Sequence, residues 1–310
     1  YDGNGNITEI VQADGHTISY TYDKANRLTS YVDADGYTHK FAYDGNGNVI
    51  STTDGNGNVT RYTYDGLDRL VGKKDAEGGV SSKTYDADGR LTKVVNEEGA
   101  VTRYVYDDCN RVISMTNAEG YETCYTYDEM DRVLTITDPR KGVIEYTYTD
   151  RGDVATATDQ EGYTTFYEYD GNRNMVKMTT PDGDTTYTYD PLDRLISTTT
   201  PDGKTETIEY NGEGQVVNTT DKGGHTTKHI LDGNGRVVET IDAMGTSTLF
   251  EYDAMGRLTK TSLHRVDTQD GVDSWEITRY QYDGRGLTTK MTDALGNVTT
   301  YTYDGDENLL

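Results

Sequence analysis

Tyr64-Asp-Gly-Leu-Asp-Arg-Leu-Val-Gly-Lys-Lys-Asp-Ala-Glu-Gly-Gly-Val80 decides the reading of this chain. It consists of Tyr-Asp, a short turn, an apolar residue six places after the tyrosine, and Asp-x-x-Gly, followed by a run into the next Tyr-Asp at Tyr85. The stretch is a repeat, and it recurs from Tyr1 to the C-terminal end. A fixed period of this kind overrides length as a guide to domain number, so we expect one repeat array over residues 1–310.

The tyrosine position falls at 1, 22, 43, 64, 85, 106, 127, 148, 169, 189, 210, 252, 282 and 303, with Leu231 standing in once. Of the 14 intervals, 12 are 21 residues long, one is 20 and one is 30. The columns are read from Tyr22, Asp23, Leu28, Tyr43, Asp44, Tyr64, Asp65, Leu70, Tyr85, Asp86, Tyr106, Asp107, Tyr127, Asp128, Tyr169, Asp170, Tyr189, Asp190, Tyr252 and Asp253. Only the repeat opened by Tyr282 breaks the apolar column, because Leu287 comes one place early.

Within a repeat the periodicity is two. Ile18, Tyr20 and Tyr22 share one face of a strand, and Thr17, Ser19 and Thr21 share the other. Asp-Gly and Asn-Gly pairs punctuate the strands, and all 4 prolines fall in these turns. No window carries a helical stripe. The expected fold is all-β: a long antiparallel meander of hairpin repeats that curls into a spiral hollow shell or tube segment, since a flat sheet of so many strands is unusual. Tyrosine suits a single-layer sheet, its ring lying over a neighbour while its hydroxyl reaches water. The irregular repeat within 253–281 should form a projecting hairpin, with Trp275 and Ile277 on the face opposite Tyr280 and Tyr282. Trp275 is the candidate contact for a partner, although a packed loop is the simpler reading.

Composition agrees. Hydrophobic residues make up 33%, with 27 Tyr against 3 Phe and 1 Trp, so a large two-sided apolar core is not expected. The net charge of −25 opposes binding to nucleic acid and keeps a repetitive β-protein soluble. No apolar run has membrane-spanning length and no signal peptide is seen, so membrane insertion is not expected; the start at Tyr1 in mid-pattern reads as a section of a longer protein. Cys109 and Cys124 are expected to be free thiols, with Cys124 facing residue 113.

The residues give little support for chemistry. Asp-Gly-Asn-Gly-Asn at 2–6, 44–48 and 54–58 resembles a calcium loop, but Gly55 stands where the bidentate acid belongs, and the same residues suit a tight turn. His225 and His229 are read as sharing a strand face, too far apart for one zinc ion. We expect no catalytic residues, cofactor or metal, because repetition leaves no unique constellation. Asp and Arg flank one turn eight times, as in Asp23/Arg27 and Asp107/Arg111; as exposed pairs each would contribute about 0–1 kcal/mol.

The repeat, as in Gly57 to Leu70 and Gly245 to Leu258, resembles the RHS or YD repeat, and the resemblance runs the length of the chain. Proteins of that family are large bacterial secreted or surface proteins, including insecticidal toxin complexes and polymorphic toxins, with the animal teneurins as relatives. The resemblance implies a β-strip spiralling into a hollow shell, which in the toxins encloses a C-terminal effector. The Asp-Pro-x-Gly-Leu motif that closes such shells is absent, since Asp138-Pro139 continues as Arg-Lys-Gly. The expected function is a non-enzymatic scaffold of a secreted or cell-surface bacterial protein, whose partners are its own C-terminal effector and neighbouring repeats. The alternative is an adhesin-like fibre or surface module that binds glycans.

Overall fold

The computed structural model describes residues 1–267 and 272–310. The described residues form 28 strands and no helix. The strands are antiparallel members of one sheet. Contacts divide the chain into two compact units: Tyr1–Thr84, Val95–Gly99 and Thr246–Leu310 form one, and Tyr85–Val94 and Ala100–Gly245 the other.

One repeat of the second unit shows how sequence becomes structure. Strand Val101–Tyr106 pairs with Val112–Thr116 as Arg103↔Thr116, Tyr104↔Met115 and Val105↔Ser114. The register then shifts, so that Tyr106 faces Val112 and Ile113 is the extra residue of a bulge. In the first unit the same shift falls at Tyr22, Tyr43 and Tyr64. In the second it recurs at Tyr127, Tyr148, Tyr169, Tyr189, Tyr210 and Leu231. The repeat tyrosine therefore marks the place where each ladder turns its corner.

The cause is the turn that follows. Asp107 N–H donates to Arg111 O at 3.0 Å, and Asn110 N–H donates to Asp107 O at 3.1 Å. Asn110 has φ of 66°, the left-handed region that Asn, Asp and Gly tolerate best. The Asp107 carboxylate locks the turn, its Oδ1 accepting the N–H groups of Cys109 and Arg111, both at 2.9 Å. The second turn of a repeat has the same construction: Asp33 N–H donates to Tyr37 O at 2.9 Å and Gly36 has φ of 91°. In the shortened repeat that opens at Tyr169, the second turn contracts instead, and Thr180 pairs directly with Gly183 across Pro181 and Asp182.

No hydrophobic side chain is buried among the described residues. Most of the apolar column is half-buried between strands, Ile7 and Leu309 being exposed, and the few buried side chains (Ser114, Thr185 and Ser262) bear hydroxyls.

Two expectations on register are settled here. Cys124 faces Ser114, not residue 113, because the five-residue turn from Asn117 to Tyr121 sets Thr116 against Glu122. Both cysteines are free, Cys109 being exposed. The long hairpin forms as strands Leu258–Asp267 and Val272–Tyr282, without a register shift between Val272 and Arg279. Trp275 therefore stays on the face opposite Tyr280. It pairs with His264, the two rings stacking at 4.7 Å, and remains 43% exposed. Residues 268–271 lie outside the described residues.

Candidate functional site

Bonding between repeats is concentrated at the Tyr-Asp turn. Arg111 Nε donates to Asp107 Oδ2 at 2.7 Å, and Nη2 lies 2.7 Å from the same oxygen. The guanidinium also reaches forward: Nη1 donates to Asp128 O of the next repeat at 3.0 Å, and the ion sits 4.8 Å from the centre of the Tyr127 ring. The Tyr127 hydroxyl reaches back, donating to Val112 O at 2.6 Å. One aspartate, one arginine and the next tyrosine thus clasp each repeat to its successor.

The clasp recurs within both units. Arg27 lies over Tyr43, Arg90 over Tyr106, Arg132 over Tyr148 and Arg194 over Tyr210. Tyr22, Tyr43, Tyr64, Tyr106, Tyr148, Tyr189 and Tyr210 each donate their hydroxyl to a carbonyl of the preceding repeat. For Tyr43, Tyr64 and Tyr106 the acceptor belongs to the apolar column, at Leu28, Val49 and Leu91. Across the longest interval the clasp is intact: Arg257 holds Asp253 at 2.7 Å and lies over Tyr282, whose hydroxyl donates to Leu258 O at 2.6 Å.

These contacts correct two expectations. The hydroxyls of the repeat-opening tyrosines donate to the backbone of the preceding repeat rather than reaching out to water. The Asp/Arg pairs are not fully exposed: Arg111 and Asp107 retain 23% and 21% of their side-chain exposure, and the arginine bridges two repeats.

The remaining columns fall as the sequence places them. Tyr85, Tyr169 and Tyr252 end their strands, half-buried, and Leu70 is the residue facing Tyr64 at its bulge. Asp65, Asp86, Asp128, Asp190 and Asp253 each bond the arginine four residues on. Where that residue is asparagine, the amide takes over: Asn48 Nδ2 donates to Asp44 Oδ2 at 3.0 Å and to Asp68 of the next repeat at 2.7 Å. Asn174 joins Asp170 to Asp193 in the same way. In the Asp-Gly-Asn-Gly-Asn segments the oxygens are engaged in turns, Asp44 Oδ1 accepting from the N–H groups of Asn46 and Asn48. His225 does not share a strand with His229: it closes a turn beside Asp221, while His229 lies in strand Thr226–Leu231.

The clasp sets an electrostatic profile. The Arg69 side-chain hydrogen bond holds Asp65 below the ordinary 3.8, and Arg90, Arg194 and Arg236 do the same for Asp86, Asp190 and Asp232. Burial raises the Tyr106, Tyr127 and Tyr148 phenols above 10.0. A depressed carboxyl contributes stability that is present above its unfolded value and lost as pH falls through the folded one. A raised phenol contributes stability present below its unfolded value and lost as pH climbs through the folded one. The thermal midpoint should therefore be highest near neutrality, fall below about pH 4 and fall again above about pH 10. Melts followed by circular dichroism across this range check it; a midpoint unchanged from pH 7 to pH 3 would remove the clasp from the stability of the fold.

The first unit holds a second set of contacts, between repeats far apart in sequence. Asn56 Nδ2 donates to Asp306 Oδ2 at 2.6 Å, and Gly305 N–H donates to Asn56 Oδ1 at 2.7 Å. Arg285 Nε donates to Asp35 Oδ2 at 2.8 Å, with its guanidinium over the Tyr37 ring. Arg257 adds an ion pair to Asp14 at 3.2 Å. Sequence reasoning missed this seam, although a signal was present. In Asp283-Gly-Arg-Gly-Leu287 the arginine stands two places after the aspartate instead of four, which moves it to the turn tip where it meets Asp35.

The comparisons agree with this geometry. The RHS Repeat family model matches residues 1–38, 43–80, 85–122, 110–143, 148–185, 181–206, 232–269 and 282–310. A search of curated proteins gave no match. Among solved structures, the chain is similar to a TcdB2-TccC3-Cdc42 crystal structure (TM-score 0.63, 15% identity, 96% of this chain and 21% of that one). It is also similar to TcdB2-TccC3 without its hypervariable C-terminal region (TM-score 0.59, 15% identity, 96% of this chain and 21% of that one). A Photorhabdus luminescens Tc holotoxin pore gives TM-score 0.58 at 15% identity, covering 95% of this chain and 21% of that one. The chain thus spans about a fifth of the length of these relatives, and at such identity the likeness is one of fold. With the repeat signature, the antiparallel meander and a family model that matches most of its residues, the chain belongs to the RHS-repeat family.

Proposed function

We propose that residues 1–310 form one repeat array, a non-enzymatic stretch of wall in a larger β-shell that encloses or displays an effector borne by the same polypeptide. The observation that carries this reading is the clasp. The recurring Asp, Arg and Tyr side chains, the ones most suited to catalysis or recognition, are engaged in joining one repeat to the next. A wall needs such joints at every repeat, whereas an active site needs a unique constellation. The shared fold with the TcdB2-TccC3 structures, one of them without its hypervariable C-terminal region, supports the same placement. By that analogy the protein works outside the producing cell, secreted or at its surface. The glycan-binding alternative has less support, because the hydroxyls of the recurring repeat-opening tyrosines donate to neighbouring carbonyls.

Limited proteolysis of the intact parent protein tests the proposal. A segment C-terminal to the array should resist protease until the repeats are unfolded by denaturant, and then be digested. A segment cut as fast in the native protein as in urea would rule out enclosure.

A further inference from the structure

In the first unit, beside the seam, lies a cleft of about 400 Å³ lined by Gln12, Tyr31, Asp33, His39, Arg285 and Glu307, among others. Four observations bear on what it would hold. The Gln12 side-chain oxygen is buried and is the one buried side-chain polar atom among the described residues that lacks a hydrogen-bond partner. Tyr31 supplies an aromatic wall, its ring stacked on His39 at 4.4 Å. Asp33 spends Oδ1 on the N–H groups of Asp35 and Tyr37, and its Oδ2 lies 3.5 Å from His39. Glu307 is exposed and enters no ion pair among the described residues.

The cleft therefore offers more acceptors than donors: Asp33 Oδ2 has only His39 beside it, and the Gln12 oxygen has no partner. Its one arginine is already committed: Arg285 holds Asp35, donates to Asp304 O at 2.8 Å and lies over Tyr37. Burial, Asp33 and Glu307 together raise the Tyr31 phenol, which places both carboxylates within electrostatic reach of that ring. Elsewhere in this fold a carboxylate and a tyrosine face have a guanidinium between them, as Asp107 and Tyr127 have Arg111. Here two carboxylates lie within reach of the Tyr31 ring, while the guanidinium of the cleft's one arginine is bonded to Asp35 and lies over Tyr37 instead. Separate acceptors beside an aromatic face suit a group that spreads its donors over a plane. A net charge of −25 would draw such a cation toward the chain.

We propose that this cleft binds a guanidinium group, either of a small free cation or of an arginine side chain on a partner peptide. Gln12, Asp33 and Glu307 accept its N–H groups and Tyr31 provides the aromatic surface. The proposal does not depend on enclosure of an effector.

The test titrates the full 310-residue chain with agmatine, read by NMR on the Gln12 side-chain amide and the backbone amides of Gly284 and Gly305. Saturable shifts are expected. Glu307→Gln and Gln12→Ala should each weaken binding about three- to tenfold. Glu213→Gln, in an exposed turn of the second unit, should leave it unchanged. Capped Gly-Arg-Gly serves as the second probe: tighter binding than agmatine assigns the site to a partner's arginine, and weaker binding assigns it to a small cation. Shifts that never saturate, variants that bind like the parent, or displacement of agmatine by an equal concentration of calcium would each overturn the proposal.

Discussion

Tyr127→Ala should lower the stability of the chain by about 3 kcal/mol, and Tyr127→Phe by about 1 kcal/mol. The alanine variant loses the half-buried ring, the Arg111 guanidinium resting on it and the hydroxyl bond to Val112 O. It also removes the aromatic partner of Arg111, which keeps Asp107 and Asp128 O but loses the surface it rests on. The phenylalanine variant keeps ring and packing and loses only the donor to Val112 O, worth about 0.5–1.5 kcal/mol. Urea unfolding measures both. Because a repeat array is held by nearest-neighbour terms, hydrogen exchange should show the loss concentrated in strands Val112–Thr116 and Glu122–Tyr127. If alanine costs no more than phenylalanine, the ring and its arginine contribute nothing, and the clasp reduces to one hydrogen bond.

Gly55→Ala should open the seam of the first unit while leaving the repeats folded. A Cβ at Gly55 would lie 2.2 Å from Gly305 O and 2.8 Å from Gly305 C, and these are backbone atoms that cannot swing aside. Gly66 holds the same place in its own turn, directly after the aspartate, and a Cβ there meets nothing within 4 Å. Gly66→Ala is therefore the matched control and should be silent. Overpacking of this kind costs about 1–3 kcal/mol, so the Gly305 amide should exchange roughly five- to a hundredfold faster in Gly55→Ala. Unchanged exchange at Gly305 would mean that the two turns do not meet in solution.

Much of the fold was legible because local rules decide it. Tyr-Asp with an asparagine, aspartate or glycine three places after the aspartate specifies a five-residue turn, and alternation of Tyr with Thr specifies the strand that reaches it. Those cues cover strand number, turn placement and the absence of a core. The candidate site was half legible. Asp107 and Arg111 could be paired by eye, since both belong to one turn. The forward reach of Arg111 to Tyr127 could not, because it depends on a bulge that sets the register by one residue. Cys124 fell against Ser114 for a different reason, the five-residue turn from Asn117 to Tyr121. The seam was least legible of all, since no local rule links Asp35 to Arg285. What the sequence carried was an unexplained irregularity, Leu287 one place early, and its meaning appears only when the distant turn is beside it.

The two turns of a repeat look alike but differ in freedom. Both departures from the 21-residue interval fall on the second: Pro181 and Asp182 shorten it in one repeat, and the pairing of Leu258–Asp267 with Val272–Tyr282 lengthens it in another. In each, the tyrosine that opens the next repeat still bonds back, Tyr189 to Met175 and Tyr282 to Leu258. Mutation can therefore lengthen, shorten or decorate one row of loops without loosening the joints of the other. For protein engineering, that row, apart from the seam turns that carry Asp14, Asp35 and Asn56, is where a guest peptide can be spliced in while the clasps keep their bonds.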